Sequence, residues 1–253
     1  MRVGFISHTL DQDVLQFGVD NGFAALELAA GDAPAECSAQ MALITRYREE
    51  LGFPVLALGT AVNPLSADAT QAAEAQQALR DLIDLCPRIG ARYVSNVSGY
   101  NGTCSIEDNL SLLVKVYRPL LEQAKDAGVT IVFENCPHGF PFPGGMNMAA
   151  TPELWEKILS ALDEENFGLE YDPSHLVWQG VDYLAAARKF ASRIVLMHAK
   201  DTEILHDRLG HVGMYGDGWW RYRLPGYGVI DWPKLFQIMS EAGFDGDLFI
   251  EHE

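Results

Sequence analysis

Eight short apolar runs alternate along the chain with longer segments of helical period, and this alternation constrains the fold more than any other feature. The runs are RVGFIS, AALELAA, PVLALGT, YVSNVSG, TIVFENC, FGLEYD, RIVLMHA and DLFIEHE. Their apolar residues are consecutive, as in strands that are covered on both faces. The segments between them, such as 38–52, 69–90 and 106–128, have the spacing of amphipathic helices. Strand–helix alternation of this kind predicts a parallel sheet.

Eight strand–helix units in 253 residues fit a closed (β/α)8 barrel, the α/β TIM barrel. An open doubly wound sheet is the alternative, but the first strand leads into SHTLDQD without a GxGxxG fingerprint. No linker or composition break divides the sequence, so we expect one domain over residues 1–253. Because the sequence stops two residues after Glu251, we expect the eighth helix to be absent from this chain. Either truncation explains this, or a homo-oligomer or another partner covers the gap.

Charge and cysteine usage exclude several classes of protein. Lys and Arg total 18 against 35 Asp and Glu, and the net charge of −17 repels phosphate backbones, so no nucleic-acid partner is expected. No apolar run approaches the ~20 residues that span a bilayer, and the N-terminal stretch is too polar for a secretory signal. The four cysteines, at 37, 86, 104 and 136, show no CxxC spacing. They are predicted to be free thiols of a cytoplasmic protein.

The connections between the elements are asymmetric. Helix-to-strand turns such as EELGFP are brief, whereas several strand-to-helix connections are long, above all residues 201–231. In a (β/α)8 barrel the latter emerge on the face that carries active sites. The stretch from Tyr215 to Tyr227, both ends included, contains five aromatic residues. We therefore predict that 201–231 packs as a lid and is not a decorative insertion.

Polar residues end the last four predicted strands: Glu134, Asp172, His198 and Glu251. Each alone could be a solvated carboxylate or a hydrogen-bonded core histidine. Neighbouring barrel strands, however, would direct all four side chains at a common centre, where three anions repel one another unless a cation lies among them. Three oxygen donors and one nitrogen suit one divalent metal ion, Mn²⁺ foremost, with Mg²⁺, Co²⁺ and Zn²⁺ as alternatives.

The chain resembles the xylose isomerase-like barrels, the sugar phosphate isomerase/epimerase superfamily. The resemblance spans all eight strands and is most specific in ENCPH (134–138), YDPSHL (171–176), HAKD (198–201), LPGYGVIDW (224–232) and IEHE (250–253). It implies that one divalent ion is held by Glu134, Asp172, His198 and Glu251. It also implies that His175 contacts substrate and that Glu27 lines the pocket, although Glu27 could equally be a structural carboxylate.

The activity that this resemblance implies is isomerisation or epimerisation of a small sugar or keto-sugar. The ion would bind the carbonyl and a neighbouring hydroxyl and so stabilise the enediolate that forms when a proton leaves the adjacent carbon. Glu134 and Glu251 would act as base and acid on opposite faces of that carbon.

Two stretches favour an alternative reaction. ENCPH and WWRYRLPGYGVIDW look more like the branch of the superfamily that acts on 3-keto-sugars and their glycosides. There the same metal site would serve a lyase, hydratase or deglycosidase, with His138 as the base. Lys200, Arg221 and Arg223 are predicted to orient hydroxyls or a phosphate, and each arginine is equally compatible with a solvated loop charge.

Two further classes fit less well. An abasic-site endonuclease shares the barrel but needs a basic groove and more than the seven histidines present. A non-catalytic sugar-binding barrel would be expected to have lost one or two of the four ligands.

Asp201 is predicted either to support His198 or to cap the following turn.

Overall fold

The computed structural model describes residues 1–29, 33–138 and 145–252. The strands are β1 (Arg2–Ser7), β2 (Leu26–Leu28), β3 (Val55–Gly59), β4 (Tyr93–Asn96), β5 (Thr130–Glu134), β6 (Phe167–Tyr171), β7 (Ile194–Ala199), β8 (Asp201–Ile204), β9 (Trp220–Arg223) and β10 (Asp247–Ile250). The helices are α1 (Gln12–Asp20), α2 (Ala33–Ala39), α3 (Met41–Glu50), α4 (Ala69–Ile89), α5 (Ile106–Asp126), α6 (Pro152–Ala161), α7 (Pro173–Trp178), α8 (Tyr183–Phe190), α9 (His206–Val212) and α10 (Trp232–Glu241). Short 3-10 turns lie at Met148–Ala150 and Ala191–Arg193. None of the described helices combines the length and apolar character needed to cross a membrane.

Eight strands form a closed parallel barrel in the order β1-β10-β7-β6-β5-β4-β3-β2. β10 closes the cylinder by pairing with β1 on one side and β7 on the other. These eight strands are the eight predicted apolar runs, so the prediction of a (β/α)8 barrel is confirmed. The consecutive apolar positions arise because one face of each strand packs on helices and the other fills the barrel.

The inside of the barrel is closed by a small apolar layer. Its members come from β3, β5, β7 and β10 and from the residue that precedes β2: Ala25, Leu56, Ala57, Val132, Leu196 and Phe249. Phe249 fits only because β1 carries Gly4 opposite it. A Cβ at Gly4 would lie 2.7 Å from the Phe249 ring and 2.4 Å from the Ala25 carbonyl oxygen. Full burial of a ring of this size contributes about 1.5–3 kcal/mol to folding.

The outer helices form where capping residues and apolar spacing agree. In α4, Leu79, Leu82, Ile83 and Cys86 lie on the buried face, as spacings of three and four residues require. The N-cap Asp68 accepts hydrogen bonds from the backbone N–H groups of Thr70 and Gln71 at 2.8 and 3.1 Å. The predicted helix at 69–90 is thus confirmed.

The segment predicted as a lid contains regular structure that the sequence analysis missed. β8 and β9 form an antiparallel hairpin with Asp201 opposite Arg223 and Glu203 opposite Arg221, and α9 lies between the two strands. Each strand has only four residues, too few to show a period against the polar surroundings. Residues 201–223 are therefore an ordered extension of β7.

Asp201 attaches this extension to the rest of the barrel. Its buried carboxylate accepts hydrogen bonds from Thr202 N (2.8 Å), Gly226 N (2.9 Å), Ile230 N (3.1 Å) and Trp232 Nε1 (3.0 Å). A Cβ at Gly228 would lie 2.1 Å from Asp201 Oδ1, so this loop can wrap around the carboxylate only with glycine there. Of the two roles predicted for Asp201, capping of the following chain is the one that these contacts support.

Candidate active site

The four predicted metal ligands lie at the same end of four adjacent barrel strands. Glu134 is the last residue of β5, and Asp172 follows β6 as the N-cap of α7, accepting from Ser174 N at 2.8 Å. His198 lies near the end of β7, and Glu251 follows β10. One donor atom from each lies within 4.8 Å of those from the other three. The structure thus brings these residues together.

Direct contacts link the four side chains through His198 and Lys200. His198 Nδ1 lies 3.4 Å from Glu134 Oε1 and 3.0 Å from Glu251 Oε2. Lys200 Nζ lies 3.2 Å from Asp172 Oδ2 and 3.0 Å from Glu251 Oε2, and the lysine is fully buried. Lys200 is therefore a countercharge within the carboxylate group, and its predicted contact with substrate stays a prediction.

The surroundings keep these carboxylates ionised. Burial alone would raise the pKa of Glu134, but the rings of His175 and His198, each 3.4 Å from its Oε1, hold it well below its ordinary value. Burial also opposes ionisation of Asp172, and the charge of Lys200 outweighs it and lowers the pKa. His198 similarly lowers the pKa of Glu251 against the effect of burial.

Several buried atoms of this group have ionic neighbours but no well-formed hydrogen bond, and so are available to a metal ion. Asp172 Oδ2, His198 Nδ1 and Glu251 Oε2 accept or donate no hydrogen bond of good geometry among the described residues. Buried polar atoms without a partner are uncommon. Three carboxylate oxygens and one imidazole nitrogen, all converging, form a donor set suited to one divalent ion.

A second acidic pair lies behind His198. Its Nε2 is 3.3 Å from Glu27 Oε2 and 3.1 Å from Glu170 Oε1, while Ser95 Oγ donates to Glu170 Oε2. Burial, reinforced by the charge of Glu170, raises the pKa of Glu27 to about 8. A ring that binds an ion through Nδ1 donates its Nε2–H, and these carboxylates are its acceptors. Sequence reasoning missed Glu170, although a residue two positions before Asp172 shares its strand face.

His175 lies under the cluster and is tied to the hairpin. Its Nε2 is 3.2 Å from Asp172 Oδ2 and 3.4 Å from Glu134 Oε1, and its Nδ1 is 2.7 Å from Tyr222 Oη on β9. Burial lowers the pKa of His175, but the charge of Asp172 raises it well above the ordinary value. The ring is fully buried, so its predicted contact with substrate stays a prediction.

A cavity of about 180 Å³ opens over the cluster. Glu27, Glu134, Cys136, His138 and Glu251 are among the residues that line it. This volume is below the roughly 300–1,000 Å³ of drug-sized ligand sites and so suits a small polar molecule.

Cys136 and His138 form a pair on one wall of this cavity. Burial would raise the pKa of the Cys136 thiol, but His175 and His138 lower it. The hydrogen bond with Cys136 raises the pKa of His138. His138 has φ +46°, a left-handed conformation that is uncommon outside glycine and clusters at functional sites.

Two predicted substrate-binding residues are not brought to this cluster. Arg221 and Arg223 each donate to Glu203 on the hairpin at 2.8 Å. These contacts agree with the alternative prediction, that both arginines are charges on a loop at the surface. A role in substrate binding stays a prediction for both.

A model of the xylose isomerase-like TIM barrel family matches residues 15–253. The chain belongs to this family. Inosose dehydratase from Clostridium beijerinckii is 28% identical to it over 153 residues, which are 58% of this chain and 48% of the relative. The chain therefore matches about half the length of that curated relative.

Two solved structures share the fold of nearly the whole chain. The IOLI protein, whose structure contains a zinc atom, aligns with a TM-score of 0.80 and 21% identity, over 99% of this chain and 88% of that one. L-ribulose 3-epimerase aligns with a TM-score of 0.75 and 23% identity, over 99% of this chain and 80% of that one. Relatives with this barrel thus include both an epimerase and, among the sequence matches, a dehydratase.

Proposed function

We propose that this protein is a divalent-metal-dependent isomerase or epimerase that moves a proton beside the carbonyl of a small sugar or keto-sugar. The observation that carries the proposal is the convergence of donor atoms from Glu134, Asp172, His198 and Glu251 within 4.8 Å at the barrel mouth. The zinc atom in the related IOLI structure supports a divalent ion at such a site. The oxygen-rich donor set favours Mn²⁺, with Mg²⁺, Co²⁺ and Zn²⁺ as alternatives.

An ion held by these four residues would withdraw electrons from a substrate carbonyl and so acidify the neighbouring C–H bond. Glu134 and Glu251 are the ligands that also face the cavity, with side-chain exposures of 15% and 13%. They can therefore reach a substrate and exchange a proton with it, one as base and the other as acid. Asp172 is a fully buried ligand, and the buried Lys200 holds it and Glu251 in position through contacts of 3.2 and 3.0 Å.

A lyase is the second candidate, because the curated proteins that this chain matches include an inosose dehydratase. Such an enzyme removes the same kind of proton and then expels a group from the next carbon. In this version His138 acts as the base, since it lines the cavity without being one of the four ligands. A 3-keto-sugar or 3-keto-glycoside hydratase or deglycosidase would use the same arrangement.

Proton exchange in deuterium oxide tests both candidates. The protein, loaded with Mn²⁺, is incubated with ketoses, 3-keto-glycosides and keto-inositols, and the products are analysed by NMR and mass spectrometry. Deuterium beside the carbonyl of an intact skeleton supports the isomerase or epimerase, whereas loss of water or of an aglycone supports the lyase. Metal binding without any exchange across the panel would contradict both and indicate a non-catalytic sugar-binding barrel.

Glu134→Gln and Glu251→Gln are each expected to slow exchange by at least about 100-fold, the usual contribution of a general acid or base. The exposed Glu122→Gln on α5 is the matched control. Metal content is measured on every sample, because loss of the ion would also stop exchange. Near-normal exchange in either variant would remove that residue from the proposed mechanism, and full lyase activity in His138→Ala would reject imidazole as the base.

A further inference from the structure

A second group of metal-binding side chains shares Glu134 with the first, and its other two members, Cys136 and His175, have no role in the proposed mechanism. Oε1 or Oε2 of Glu134, Sγ of Cys136 and a ring nitrogen of His175 lie within 4.8 Å of one another. Glu134 ends β5 and Cys136 lies two residues further on, and His175 is in the short helix α7 that starts after Asp172. The three side chains therefore converge from two adjacent barrel strands.

The orientation of His175 makes one of its nitrogens available to a cation. Nε2 is fully buried, lies 3.4 Å from Glu134 Oε1 and 3.2 Å from Asp172 Oδ2, and makes no hydrogen bond of good geometry among the described residues. Nδ1 is 2.7 Å from Tyr222 Oη. A metal-binding histidine commonly donates its second ring N–H to such an oxygen, which fixes the tautomer. With Nδ1 bonded to Tyr222, Nε2 is the nitrogen that binds a cation, and it does so by giving up its own proton.

The donor types of this group differ from those of the first site. Thiolate, imidazole and carboxylate together are typical of zinc, whereas Mn²⁺ and Mg²⁺ prefer oxygen donors. Three protein ligands leave one position of a tetrahedral zinc ion open. Pairs of ions about 3.5–4 Å apart that share a carboxylate occur in many two-metal sites, and Glu134 is positioned to be shared here.

We propose that Glu134, Cys136 and His175 form a second, zinc-selective site that shares Glu134 with the site of Asp172, His198 and Glu251. Zinc forms a bond to Cys136 Sγ, and the thiol proton passes to solvent. Mn²⁺ occupies only the first site. This inference goes beyond the proposed function, since it concerns how many ions bind and which, whatever reaction the barrel catalyses.

The test compares metal stoichiometry in two cysteine variants. Metal-free protein is titrated with Zn²⁺ or Mn²⁺ by calorimetry, and the retained metal is measured after desalting. The wild type is expected to bind two equivalents of Zn²⁺ and one of Mn²⁺. Cys136→Ser is expected to bind one of each. Cys104→Ser, which alters a free cysteine beside Thr103, is the matched control and should behave as the wild type.

Cobalt gives a direct view of the thiolate. Co²⁺-loaded wild type and Cys104→Ser should show a sulfur-to-cobalt charge-transfer band in the near ultraviolet, and Cys136→Ser should lack it. A single Zn²⁺ equivalent in the wild type, two equivalents in Cys136→Ser, or a band that survives Cys136→Ser would each overturn the proposal. Loss of Mn²⁺ from Cys136→Ser would overturn it as well, because the two sites would not be separate. The failure of this inference leaves deuterium exchange with Mn²⁺ unchanged, so it is distinguishable from failure of the proposed function.

Discussion

Asp201→Asn should destabilise the protein strongly, although it changes one atom of a residue outside the metal cluster. Asp201 Oδ1 accepts from Thr202 N and Ile230 N, and Oδ2 accepts from Gly226 N and Trp232 Nε1. An amide has one oxygen and one NH₂ group. Whichever way it is turned, two of the four N–H donors face other donors and lose their hydrogen bonds.

The expected cost follows from the number of donors affected. A buried donor without an acceptor costs about 1–3 kcal/mol, so two give about 2–6 kcal/mol. The amide of Gly226 is only partly buried, and access of water there places the expected loss at about 2–4 kcal/mol. Such a loss is a large part of the roughly 5–15 kcal/mol that stabilises a typical domain. The close packing of Gly228 against Oδ1 leaves little room for the loop to adjust.

The assay is equilibrium unfolding in urea, followed by circular dichroism and tryptophan fluorescence at fixed metal concentration. The control is Asp68→Asn, which removes the same charge. At Asp68 a single oxygen, Oδ1, accepts both hydrogen bonds, and asparagine caps helices as well as aspartate does. Its free energy of unfolding should therefore stay within about 0.5 kcal/mol of the wild type. If Asp201→Asn also stayed within that range, the attachment of the loop through this carboxylate would be refuted.

Three further outcomes are expected. Metal affinity should rise with pH, because nearby carboxylates raise the pKa of His198 against the effect of burial and the ring must lose a proton before Nδ1 binds the ion. Calorimetry in buffers of different ionisation enthalpy should detect this proton release. A metal affinity that does not change with pH would contradict the prediction. Glu170→Gln should weaken metal binding about 10-fold, since it removes the charge that orients the His198 ring; an unchanged Kd would reject that role. Gly4→Ala should lower the free energy of unfolding by about 1–3 kcal/mol, because its Cβ would clash with the Phe249 ring and the Ala25 carbonyl. An unchanged free energy of unfolding would contradict this and show that the barrel interior can repack around the added methyl group.

The barrel was predictable because its signals are local. Each barrel strand is recognisable in the sequence as a short apolar run. In a closed parallel barrel, a polar residue at the end of such a run lies at the barrel mouth. This is why Glu134, Asp172, His198 and Glu251 could be grouped before their positions were known. The strand ends carry most of the information about the candidate site.

What the sequence could not show depends on contacts between distant segments. The pairing of Glu203 with Arg221 arises from the register of a hairpin whose strands are 15 residues apart along the chain. The contact of Tyr222 with His175 follows from the same hairpin. Because short polar strands have no pattern strong enough to identify them, both features appear only once the chain is folded.

The apolar layer inside the barrel determines from which side a molecule can reach the cavity. Val132, Leu196 and Phe249 each precede a cluster residue by two positions along the chain, so their side chains lie below Glu134, His198 and Glu251 on the same face. Within the described part of the chain this layer forms a floor. A molecule at the cluster is therefore separated from the opposite end of the barrel by these apolar side chains, and its exchange with solvent takes place on the side where the strands end.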